Sequence, residues 1–100
     1  MKYRINYSKV VSQANSISGN ADQLSVQIRL LDQIEQECRS IWKGEAADVF
    51  ISKIRSLRSE MDKTRFKMLN LASTIQYCAD RIQSEDRAAE ERAATLNAGY

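Results

Sequence analysis

Two apolar runs at heptad spacing, one on each side of Ile41-Trp42-Lys43-Gly44-Glu45, limit what this chain can become. The first is Val10, Ala14, Ile17, Ala21, Leu24, Ile28, Leu31, Ile34, Cys38, Ile41, with one irregular step from Leu31 to Ile34. The second is Phe50, Ile54, Leu57, Met61, Thr64, Met68, Leu71, Ile75, Cys78, Ile82, alternating steps of four and three throughout. Such steps keep one stripe on one side of a helix, whereas a half-buried strand needs a period of two. Each run predicts a helix of roughly 35 residues, about 50 Å long. Equal arms about a central turn predict an antiparallel helical hairpin.

Composition agrees. The chain has no proline and only three glycines, while alanine, leucine, glutamine, glutamate, lysine and arginine, the residues that lose least freedom in a helix, are plentiful. The turn residues that a β-protein needs at short intervals are missing. The expected fold class is all-α, in one domain. Asn6 or Ser8 can cap the first helix by accepting from a free first-turn amide. Gly19, among Ser16, Ser18 and Asn20, weakens that helix, but the seam keeps phase from Ala14 through Ile17 to Ala21. One continuous helix, frayed or bent there, is expected. Gly44 can take a positive φ and close the first helix, and Glu45 and Asp48 then suit the positive end of the second helix's dipole.

Residues 1–86 are expected to form the hairpin, with its turn at 42–44. Residues 87–100 carry charge and alanine but almost no large apolar side chain, so a polar tail is expected, frayed and then disordered from Leu96 to Tyr100. Cys38 and Cys78 lie on opposite arms at unequal distances from Gly44. In a hairpin they stand roughly 40 Å apart, far beyond the ~7 Å that a disulfide tolerates. Both fall on the apolar stripe and are expected to be buried thiols.

Other chemistry finds little support. There is no histidine, and so no imidazole base or ligand. Two distant cysteines cannot hold zinc, and no glycine-rich phosphate loop is present. No enzyme activity and no cofactor are expected. Fifteen basic and thirteen acidic side chains leave a net charge of +2, a weak footprint for nucleic acid. The densest basic stretch is Lys53, Arg55, Arg58, Lys63, Arg65 and Lys67. It reads as the polar face of an amphipathic helix, with Glu60–Lys63 and Asp62–Arg65 pairs at i, i+3. No apolar run reaches the ~18–20 residues of a membrane span, and no h-region follows the N-terminal charges. The expected product is soluble and made in the cytoplasm, and any export would use a route accepting folded protein.

Two helices share a single interface and cannot enclose a core. Apolar residues also flank both stripes: Val26 and Leu30, leading into Ile34, on the first arm; Val49, Ile51, Phe66, Leu69 and Tyr77 on the second. Leaving such side chains wet forfeits about 1.5–3 kcal/mol each. A four-helix bundle made from two hairpins would cover them, with Val26, Leu30, Ile34, Ile51, Phe66 and Leu69 as the expected dimer or partner surface.

Trp42-Lys43-Gly44, followed by Ala46-Ala47 and Phe50 and placed mid-chain between two heptad runs, resembles the WXG family of helical-hairpin proteins. These are the early secreted antigenic target type, exported by type VII secretion systems, and the resemblance covers residues 5 to 86. It implies antiparallel dimerisation and a bipartite export signal, in which the Trp-x-Gly turn of one subunit lies near the C-terminal segment of the other. It also implies a secretion ATPase as partner, with a second small hairpin or the N-terminal helices of a larger toxin as further partners. The family's C-terminal signal maps onto Tyr77, Ile82 and Asp86, with departures. The residue four after Tyr77 is Arg81 rather than an acid, and the apolar positions following Asp86 are Ala89 and Ala93. The mild positive charge departs from the usually acidic members. The reading from another class is a cytoplasmic coiled-coil adaptor or a nucleic-acid-associated helical hairpin.

Overall fold

A computed structural model describes residues 5–98. Within them the chain is two helices and a turn: α1 (Tyr7–Ile41), residues 42–44, and α2 (Glu45–Ala98). The antiparallel pair forms a rod of 85 × 17 × 15 Å. The all-α hairpin is therefore the fold.

Each boundary has a local cause. The Asn6 side chain accepts from the Lys9 amide at 3.2 Å and caps α1. At the other end the Trp42 amide donates to the Cys38 carbonyl at 2.8 Å while Trp42 itself is extended. Gly44 has φ +114°, a conformation that side chains with a Cβ rarely adopt. Its carbonyl accepts from the Asp48 amide at 3.1 Å and starts α2. Gly19 leaves α1 unbroken. A Cβ built there meets nothing within 4 Å, so Gly19→Ala should stabilise the hairpin by about 0.5–1 kcal/mol, read as a raised midpoint in thermal circular dichroism.

The seam between the helices differs from the expected one. On α1 its centre is Ala14, Ala21 and Glu35, the three buried residues of that helix. The irregular step to Ile34 does not occur: the heptad continues from Ile28 to Glu35, and Ile34 faces outward. On α2 the centre is Ile51, Arg58, Arg65, Ala72 and Ala79, with Ala47, Ile54, Met61, Met68 and Ile75 beside it. Of the expected stripe, Ile54 is buried and Met61, Met68 and Ile75 are half-buried against α1, while Phe50, Leu57, Thr64, Leu71, Cys78 and Ile82 are exposed. Cys78 is thus an exposed free thiol and Cys38 a half-buried one. Alanines at the centre explain the rotation, because helix separation follows the size of the side chains at the contact. Ala14, Ala21, Ala47, Ala72 and Ala79 are all buried, and no large side chain among the described residues is fully buried.

α2 outruns α1. It stays helical to Ala98 through the segment expected to fray, as its alanine, glutamate and arginine content favours. Gly99 and Tyr100 lie outside the described residues. Near the open end the Tyr7 hydroxyl donates to Asp80 Oδ1 at 2.7 Å, and Gln76 Nε2 donates to the same oxygen at 3.0 Å. The bond to Asp80, followed by desolvation and the Asp80 charge, raises the Tyr7 pKa above its usual 10.0. Between the unfolded and folded values the native state holds a proton that the unfolded chain has lost. This contribution to stability is therefore complete below about pH 10 and disappears as pH rises through the folded value. Tyr7→Phe should flatten that alkaline decline in a pH series of thermal melts.

Candidate functional site

Among the described residues, the side-chain hydrogen bonds and ion pairs that join the helices at Glu35, Asp32 and Asp80 fall on one side. Arg55 Nε donates to Glu35 Oε1 at 3.1 Å, and Arg58 Nη1 to Asp32 Oδ1 at 2.9 Å. Arg58 Nη2 lies 3.5 Å from Glu35 Oε1, and Arg39 Nη2 3.2 Å from Glu35 Oε2. With the Tyr7–Asp80–Gln76 cluster, these contacts use seam-centre residues or neighbours on the flank of Asp32, Arg55 and Gln76. That flank is Val11, Ser18, Ser25 and Asp32 on α1, and Arg55, Asp62, Leu69, Gln76 and Gln83 on α2. It is mostly polar.

The opposite flank is apolar. It holds Val10, Ile17, Leu24, Leu31 and Cys38 of α1, and Ile54, Met61, Met68, Ile75 and Ile82 of α2. Each lies three residues after a seam-centre position, and in an antiparallel pair equal heptad offsets fall on the same side. Further out, one residue before the centres, α2 carries Phe50, Leu57, Thr64, Leu71 and Cys78, while α1 is polar at Gln13, Asn20 and Gln27 and apolar at Ile34 and Ile41 near the turn. Phe50, Leu57 and Leu71 are 40, 51 and 52% exposed. The hairpin therefore carries an exposed apolar stripe along α2 that widens onto α1 toward the turn, of the kind that marks an interaction surface.

The residues expected to form a partner surface divide among four places. Ile34 lies on the apolar face, and Leu30, two residues after Ile28, sits beyond its edge on the outer side of α1. Val26, Phe66 and half-buried Leu69 lie around the polar side, where Arg65 stacks 4.5 Å over the Phe66 ring. Ile51 is 8% exposed and sits between the helices, so it belongs to the hairpin's own seam. The sequence reading missed Glu35 and Asp32, which are not apolar. A strict count of seven from Ile28 would have found Glu35.

At the turn Trp42 stacks against Phe50, ring centroids 5.6 Å apart and tilted by 47°. Trp42 remains 42% exposed, and Ile41 beside it is more so. An open cleft of ≈ 410 Å³ runs from Trp42, Lys43 and Gly44 past Arg39, Asp48 and Ser52 to Arg55. The tip thus offers an aromatic surface beside basic side chains.

Tyr77 and Ile82 are exposed on α2, and the Tyr77 hydroxyl accepts from Arg81 at 3.3 Å. Asp86 lines a recess with Ile5, Tyr7, Gln83, Arg87 and Glu90. These residues and the Trp-x-Gly turn stand at opposite ends of the rod, roughly 60 Å apart for Asp86. One chain does not bring them together.

The basic stretch on α2 is largely engaged within the chain. Arg55 and Arg58 hold Glu35 and Asp32, Lys63 meets Glu60 at 3.3 Å, and Arg65 meets Asp62 at 3.0 Å. No helix among the described residues is long and apolar enough to cross a membrane.

A helical hairpin with a Trp-x-Gly turn at its tip and one uncovered apolar face is the class of protein that fold and site define. The chain belongs to the WXG100 family, described as proteins of 100 residues with WXG, whose model matches residues 2–87. That family is known for type VII secretion substrates. No curated protein and no solved structure gives a significant match.

Proposed function

We propose that this chain is exported by, or escorts cargo through, a bacterial type VII secretion system, and that it works by helix-face protein binding without catalysis. The observation that carries this reading is Trp42-Lys43-Gly44 standing at the exposed tip of a family-matched hairpin. Trp42 and Phe50 form the surface read by the secretion ATPase. Tyr77, Ile82 and Asp86 supply the second part of the signal, which reaches the turn only from another subunit. The apolar face takes a second hairpin, whether another copy, a different small member or the N-terminal helices of a larger toxin. The protein is made in the cytoplasm and leaves through that system. The adaptor or nucleic-acid reading is disfavoured by the ion pairs that occupy Arg55, Arg58, Lys63 and Arg65.

Export assays of Trp42→Ala and Gly44→Ala test it. Trp42 is a tip residue, so its loss leaves the seam intact. Alanine at Gly44 strains one turn residue without meeting a neighbour. Both variants should keep most of their helicity and vanish from culture supernatants. Secretion at the wild-type level would defeat the reading.

A further inference from the structure

We propose that the cleft on the polar side of the turn is a binding site for a phosphate group. This stands apart from the export reading, and neither needs the other.

Two arginines wall the cleft, one from each helix. Arg39 belongs to α1 and Arg55 to α2, and each lies four residues after a seam-centre position, on the flank where charge joins the helices. Glu35 holds the pair from within the seam. Its Oε2 lies 3.2 Å from Arg39 Nη2 and its Oε1 3.1 Å from Arg55 Nε, while both guanidiniums stay about half exposed. Arg55 donates to Glu35 through Nε and retains both terminal nitrogens. A guanidinium tethered at one nitrogen presents its other donors in a fixed fork, so less ordering of long side chains opposes binding.

The charges do not cancel. Arg39, Arg55 and Arg58 share two carboxylates, Glu35 and Asp32, so one positive charge is left over. Lys43 adds another and has no acidic partner among the described residues. Asp48, the one acid lining the cleft, stands in the first turn of α2, where the helix dipole favours its charge. Ser52 and Trp42 bring a hydroxyl and an indole N–H that meet no protein acceptor among the described residues. A solvated charge run accounts for the outer lysines of α2, but not for two arginines fixed across a recess by a buried acid.

The donor set favours phosphate over a carboxylate. A carboxylate carries one charge and two oxygens in a plane, and a single bidentate arginine suffices for it. Here the donors come from α1, the turn and α2, around a cleft of ≈ 410 Å³. That arrangement suits a tetrahedral group with more than one charge. A soluble phosphate and a lipid headgroup present the same chemistry to it.

Trp42 is the only tryptophan of the chain, so its emission reports on the cleft. Titration of the full chain with inorganic pyrophosphate at low ionic strength should give a saturable change at one site per chain, confirmed by calorimetry. The expected dissociation constant is millimolar or tighter. Arg39→Gln and Lys43→Gln should each weaken binding about fivefold to tenfold. Neither side chain joins α1 to α2, so both variants should melt as the parent does. Lys53→Gln removes the same charge from an exposed position outside the cleft and should leave the affinity within about twofold. Vesicles of phosphatidylglycerol in phosphatidylcholine distinguish the sources. Vesicle binding that pyrophosphate displaces and Arg39→Gln weakens assigns the site to a headgroup, and pyrophosphate binding alone assigns it to a soluble phosphate. Absence of saturation by pyrophosphate, or an equal loss in Lys53→Gln, overturns the site. Vesicle binding without pyrophosphate binding overturns it too, because exposed Ile41 and Trp42 would then be what binds. Trp42-dependent secretion would leave the export reading standing in each of these cases.

Discussion

Ile54→Ala is expected to cost the hairpin about 2–4 kcal/mol, while Leu57→Ala, one turn away, costs the hairpin less than about 1 kcal/mol. Both residues belong to the same sequence stripe, and only their surroundings separate them. Ile54 is 6% exposed and packs where α1 and α2 meet. Truncating it removes burial and leaves a cavity that alanine-rich neighbours, already close, cannot fill. Leu57 is 51% exposed in the single hairpin, so little burial is there to lose. For a chain of this length the Ile54 variant should melt roughly 10–25 °C lower, at every protein concentration. Leu57→Ala should act on association, lowering the melt mainly where its midpoint depends on concentration. Thermal circular dichroism over a hundredfold dilution series measures both. Equal losses at high dilution would mean that the stripe, and not the alanine seam, joins the helices.

That contrast shows how far the sequence can be read. The hairpin itself was legible, because heptad spacing, absent proline and a midpoint glycine act locally and point the same way. Asn6 and Gly44 act through their own backbone geometry, so their roles could be anticipated. Rotation of the helices about their axes was not legible. An amphipathic helix with two apolar neighbours has two faces to bury, and a count of large apolar residues finds the more greasy one. In α2 that is Phe50, Leu57 and Leu71, the face left for a partner. The internal seam shares Ile54, Met61, Met68 and Ile75 with the counted stripe, but its centre also holds Arg58, Arg65, Ala72 and Ala79, small or charged residues that the count passes over. The helical extension to Ala98 was underestimated for a related reason: helix propensity alone, with few tertiary contacts, carries residues 91–97. The Trp-x-Gly turn was visible as a motif, but its stacking of Trp42 on Phe50 depends on which way α2 faces.

Glu35→Ala should be the most damaging change of a charged residue, lowering stability by about 1–3 kcal/mol, whereas Glu35→Leu should stay within about 1 kcal/mol of the parent. Glu35 occupies a seam-centre position with its side chain 8% exposed, and its two oxygens meet Arg39, Arg55 and Arg58. No buried side-chain nitrogen or oxygen among the described residues lacks a partner, so the network is satisfied as it stands. Alanine removes the acceptor, leaves Arg58 with Asp32 alone and opens a gap in the seam. The usual penalty for breaking a buried pair is reduced here because Arg55 is about half exposed and can turn to water. Leucine also removes the acceptor, but it restores the apolar knob that the heptad from Ile28 prescribes. The difference between the two variants therefore isolates packing from charge. Denaturant melts at fixed protein concentration give both values. If leucine proves as costly as alanine, the carboxylate itself holds α1 to α2, and Glu35 with Arg58 is a registration lock rather than a tolerated charge in an apolar seam.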